Sequence, residues 1–155
     1  MSLTLALVAR GVVVLVGLAA LVFLLGEPHL EGRNAHATVF EIYFKDPFLA
    51  YVYVGSIPFF IALHRAHRLL GLAGRTGHFS PATVSDLHAI TVCALTVIGF
   101  VAGAAVIMLL TGDPEDRPAG IFMTFLAASG AGAVAVGATL FARSLQSALS
   151  RVRGD

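Results

Sequence analysis

The residues best able to do chemistry sit in the middle of the chain: His64, Arg65, His67 and Arg68, followed by Arg75, His78, Asp86 and His88. Histidines close together on a helix can hold a metal, but no carboxylate–histidine signature such as HExxH accompanies them. Asp86 precedes His88 by two residues, and side chains so spaced do not face each other on a helix. Cys93 is the one cysteine, which excludes an intrachain disulfide and a multi-thiolate metal site. There is no GxSxG elbow, phosphate-binding loop or paired-carboxylate arrangement. The expectation is therefore a protein that is not an enzyme and carries no cofactor or resident metal. Its histidines would act as pH-responsive charges at a lipid interface.

The elements that position these residues are membrane helices. The chain has 155 residues, of which 57% are hydrophobic and 12% charged. That charged share is about half of what a soluble domain carries. A small domain has much surface to cover, and this composition cannot cover it with polar side chains. Four apolar stretches stand out, at about residues 3–25, 47–66, 87–110 and 119–142. The last two would each run about 36 Å as helices, enough for a hydrocarbon layer of about 30 Å. The second is completed by His64 and Arg65, and the first carries Arg10 near its end, where an arginine can snorkel to the headgroups. The fold class expected is all-α: an integral membrane four-helix bundle forming a single transmembrane domain over 1–155.

Charge around the spans sets the expected orientation. Arg10, the group Arg65, Arg68 and Arg75, and the tail residues Arg143, Arg151 and Arg153 all fall on one side. Glu27, Glu31, Glu41 and Asp46 outweigh the basic residues of the first loop, and Asp113, Glu115 and Asp116 those of the third. The positive-inside rule then places both termini and the middle loop in the cytoplasm of a bacterial cell. The first span is expected to be retained rather than cleaved at Ala35-His36-Ala37, because no basic side chain precedes Arg10 and that site lies well beyond the apolar core. The overall charge of +1 offers no polycation for nucleic acid, so direct nucleic-acid contact is not expected.

Within the spans the expectation concerns packing. Gly99 and Gly103 in span three, and Ser129, Ala133 and Gly137 in span four, recur every four residues. Such small faces allow close helix approach, between spans three and four or, as an alternative, in a homodimer. Pro58 near the middle of span two predicts a kink. Residues 37–48 (ATVFEIYFKDPF) predict an interfacial helix with Glu41 and Lys45 as an i,i+4 pair, an alternating strand being the alternative. Tyr51 and Tyr53 would sit below the outer headgroups. Gly71, Gly74 and Gly77 predict a bend in the middle loop, and Ser80-Pro81 a helix start. Val84, Leu87 and His88 would share one face.

Two segments, IPFFIALHRAHRLLG at 57–71 and FSPATVSDLHAITVCA at 79–94, together with the acidic turn GDPEDRPAG, resemble the DUF2975 family of uncharacterised bacterial four-span membrane proteins. The resemblance covers about residues 40–148 and brings no catalytic residues with it. It implies a membrane partner for a small cytoplasmic helix-turn-helix regulator. Arg65, Arg68, Arg75, Arg151 and Arg153 are the candidate contacts for that protein or for membrane lipid. The expected function is regulatory or scaffolding. The alternative is a small-molecule transporter or an accessory subunit of a transport complex, which would need a polar cavity around Ser56, Pro58 and Thr96.

Overall fold

A computed structural model describes residues 2–30, 37–76, 81–112 and 114–154. The elements are α1 (Leu3–Leu30), α2 (Val39–Lys45), α3 (Pro47–Thr76), α4 (Pro81–Thr111) and α5 (Arg117–Gly154). The four long helices are each apolar and long enough to cross a membrane. They form an all-α, four-helix membrane bundle, packed chiefly in the succession α1 on α3, α3 on α4 and α4 on α5. Their up-and-down course, marked by the contacts of Arg10 with His67, Arg65 with Asp86 and Thr91 with Thr139, brings the start of α1, the end of α3, the start of α4 and the end of α5 to one end of the bundle, here called the terminal end. The far end carries α2 and the turn into α5.

Local chemistry explains most helix boundaries. Thr38 and Glu41 form a reciprocal capping box at the start of α2, which supplies acceptors for otherwise unpaired amides. Lys45 pairs with Glu41 at 3.1 Å, and Phe40 stacks on Phe44 at 5.1 Å between ring centroids, so the segment is a helix and not a strand. Asp46 Oδ1 accepts from the amides of Phe48 and Leu49, and Pro47 opens α3 where its missing N–H costs nothing. At the last turn, Arg117 Nε donates to the Gly112 carbonyl at 3.1 Å. Pro81 opens α4, whereas Ser80 and Gly77 lie outside the described residues.

One expectation needs correction. Gly71 and Gly74 do not bend the chain; α3 continues helically through both to Thr76. Their lack of a side chain serves packing instead, since a Cβ on Gly74 would run into Ala6, and one on Gly71 would meet the Arg10 guanidinium. Tyr51 and Tyr53 find partners on neighbouring helices. Tyr51 donates to the Phe100 carbonyl at 3.0 Å and Tyr53 to the Leu24 carbonyl at 3.1 Å, so each ties α3 to a neighbouring helix. Val84 and Leu87 are buried, and His88 is exposed at the edge of the same helix face. Pro58 lies inside a continuous α3.

The length of α5 exceeds that of a bilayer span. α5 has 38 residues, about 57 Å of helix against about 30 Å of hydrocarbon. Its apolar run starts directly after Asp116 and Arg117, so the surplus falls at the terminal end, where Arg143, Ser144, Gln146, Ser147 and Arg151 are exposed. The best-buried core is there too: Val84, Leu87 and Ile90 of α4 against Ala138, Ala142 and Leu145 of α5, flanked by Ala62, Ala66 and Leu69 of α3.

Candidate functional site: an arginine clamp at the terminal end

Asp86 is the centre of the site. It lies in the second turn of α4, two positions from Val84 and next to Leu87, and is fully buried. Two arginines of α3, Arg65 and Arg68, converge on it. Arg65 donates from Nη1 to Oδ1 at 2.9 Å, and Arg68 donates from Nε to Oδ2 at 3.1 Å while its Nη2 contacts Oδ1. Arg68 thus makes the two-pronged contact for which guanidinium and carboxylate are matched. Arg65 and Arg68 are three apart and so lie on one side of α3. Their side chains remain 38% and 49% exposed, against 1% for Asp86. One carboxylate leaves this three-residue group with a surplus positive charge facing outward.

A second polar contact joins α3 to α1. Arg10 donates from Nε to His67 Nε2 at 3.2 Å, and its Nη2 lies 2.7 Å from the same nitrogen. Arginine can only donate, so Nε2 must be the acceptor and the ring is neutral with its proton on Nδ1. That Nδ1 is buried and has no partner. α4 and α5 are joined, little more than a turn below Asp86, by Thr91 and Thr139, whose hydroxyls lie 3.3 Å apart.

The far half of the bundle is built differently. Phe100 lies against Gly55, where a Cβ would approach its ring to 2.9 Å, and Tyr51 occupies the space that a side chain on Gly103 would need. Beside this contact an apolar groove of about 280 Å³ opens between the helices, lined by Phe23, Tyr51, Phe59, Phe100 and Ala127 among others. Ser56 also borders it, but its hydroxyl donates to the Tyr53 carbonyl at 2.8 Å, and Thr96 donates to the Val92 carbonyl.

Of the residues singled out by sequence, Arg65 and Arg68 come together on Asp86, a partner that sequence reading missed. Arg151 is exposed near the end of α5; the side chains of Arg75 and Arg153 lie outside the described residues, as does His78. Gly103 packs against Tyr51, whereas a Cβ on Gly99 or Gly137 would meet nothing within 4 Å. Ser129, Ala133 and Gly137 are exposed. α5 meets α4 with a different small face, Ala135, Ala138 and Ala142. Apart from Val134 and Val136, residues 129–138 are all Gly, Ala or Ser, so a four-residue repeat could not choose between faces. No group of three or more His, Cys, Asp or Glu able to hold a metal occurs among the described residues.

Comparison with known proteins agrees with this architecture. The family model described as a protein of unknown function, DUF2975, matches residues 29–151. The chain belongs to the DUF2975 family. It is similar to the uncharacterized membrane protein YoaS of Bacillus subtilis (strain 168), at 29% identity over 147 residues, covering 95% of this chain and 89% of that protein. No solved structure matches. This DUF2975 chain is a multi-pass bacterial membrane protein, and the matched region contains the whole Arg65–Arg68–Asp86 clamp.

Proposed function

We propose that this protein is a membrane-anchored scaffold or regulatory subunit that presents its projecting terminal end to a soluble cytoplasmic protein. The observation that carries the reading is that the polar surplus of α5 and the best-packed core of the molecule occupy the same end. A lipid anchor alone needs neither. Arg10, Arg65, Arg68, Arg143 and Arg151 gather at that end, whereas Glu41, Asp46, Glu115 and Asp116 mark the other, so the positive-inside rule turns the terminal end to the cytoplasm. The partner is a protein with an acidic patch, and a helix-turn-helix regulator, as the resemblance implies, is the first one to test. Arg68, Arg143 and Arg151 are the contact residues, and Asp86 holds Arg68 in place. Against transport through the bundle, the hydroxyls of Ser56 and Thr96 are turned to carbonyls of their own helices.

Crosslinking and pull-down from native membranes test this reading. A specific soluble protein should co-purify with the wild type and be lost with Arg143→Gln/Arg151→Gln, while the variant still inserts. These two positions are better than Arg65 and Arg68, whose removal would also strand Asp86. Substrate flux by the protein alone in sealed vesicles would defeat the scaffold reading. So would tags in the 77–80 connection and the 112–116 turn reporting the same side of the membrane.

A further inference from the structure

We infer that Arg10, oriented by His67 across Gly71, is a binding site for the phosphate of an anionic phospholipid in the leaflet at the terminal end. This site lies on the α1 side of α3 and goes beyond the scaffold reading, which uses the α4–α5 side.

Arg10 is oriented but not neutralised. Both of its described contacts go to a single ring nitrogen of a neutral histidine, and among the described residues no carboxylate pairs with it. Other guanidinium N–H groups therefore remain for an oxyanion. Holding the ring in this pose leaves His67 Nδ1 buried without an acceptor, and an unmet buried donor is a cost that native structures seldom accept. Gly71 adds the room: a Cβ there would stand 3.4 Å from Arg10 Cζ and Nη1. A bulkier residue would push the guanidinium off α3.

Depth points to a headgroup. Arg10 meets α3 at His67, one residue from Arg68 and two from Arg65, so all three guanidiniums lie within about one turn of the same height. Charged side chains in membrane helices sit at this level because they reach the interface from it. Three cations there face one bonded carboxylate, Asp86. Below Arg10, towards the bilayer centre, Val14, Leu18 and Leu21 of α1 are exposed and offer an acyl chain an apolar track. A phosphate diester presents two oxygens that a guanidinium can bind together, and basic recesses between membrane helices are suited to acidic headgroups. Phosphate oxygens are the shared chemistry; the apolar track commits the site to lipid over free phosphate.

The test uses the full chain in phosphatidylcholine nanodiscs with a rising fraction of phosphatidylglycerol, with retained lipid read by native mass spectrometry. Arg10→Gln should lower the preference for phosphatidylglycerol roughly fivefold, the contribution expected of one basic residue at an anionic surface. Lys45→Gln, at the far end where the lysine is already paired with Glu41, should keep the wild-type preference. An unchanged preference in Arg10→Gln, or displacement of the lipid by millimolar inorganic phosphate, overturns the proposal. Should Arg10→Gln fail to insert, wild-type protein with a headgroup-photoreactive phosphatidylglycerol decides: adducts on residues 3–14 and 64–72 support the site, and adducts confined to α5 overturn it.

Discussion

The two ends of the bundle hold their helices together by different means. At the terminal end, leucine, isoleucine and alanine side chains of α3, α4 and α5 close around a buried carboxylate gripped by two arginines. At the far half, α3 and α4 meet through two glycines, an aromatic pair and one tyrosine hydroxyl, with an apolar groove left open beside them. The terminal end is held by an ion pair and larger apolar side chains, the far half by close contact of small and aromatic residues, the packing that suits lipid.

This contrast can be broken at its strongest point first. Replacing Arg65 and Arg68 together by alanine leaves Asp86 as an unpaired buried charge, and about 3–5 kcal/mol of stability should be lost. Reversible unfolding in mixed micelles measures it; a loss near zero would mean that the terminal end is not organised by the clamp. Leu145→Ala opens the core of the same end and should cost roughly 2–5 kcal/mol in the same assay. In the far half, Gly103→Ala sets a methyl group against the Tyr51 hydroxyl and should cost about 1–3 kcal/mol. A greater loss there than from Leu145→Ala would reverse the ranking of the two ends.

The smallest effect concerns α2. Glu41 has its pKa lowered to about 2 by hydrogen bonds from the Thr38 backbone and side chain, and then by Lys45. A carboxyl held below its ordinary value stabilises the fold above that value and loses the contribution as pH falls towards the folded one. Hydrogen exchange should therefore show α2 loosening between about pH 4.5 and 2 while the spans keep their protection. Glu41→Gln should produce the same loosening at neutral pH.

The spans and the α2 ion pair were legible because their signals are local: sustained hydropathy, and Glu41 four residues before Lys45. The capping box is a local signal too, carried by the spacing of Thr38 and Glu41. Asp86 was not. In sequence it is one acid counted against a basic loop, and its partners lie 21 and 18 residues away across a helical hairpin. Gly71 and Gly74 read as turn residues because glycine's role in close packing depends on what lies opposite, here Arg10 and Ala6 of α1. Tyr51 and Tyr53 carry the same ambiguity, since an amphipathic ring suits either a headgroup layer or a neighbouring carbonyl.

The central claim is that Asp86 and the two arginines act as one unit, and a mutant cycle tests it most directly. Stability in mixed micelles would be measured for Asp86→Asn, for Arg65→Gln/Arg68→Gln, and for all three substitutions combined. With the arginines gone, neutralising Asp86 should restore stability, so that the triple variant is more stable than the arginine pair and the coupling exceeds about 1.5 kcal/mol. Losses that simply add would contradict the account.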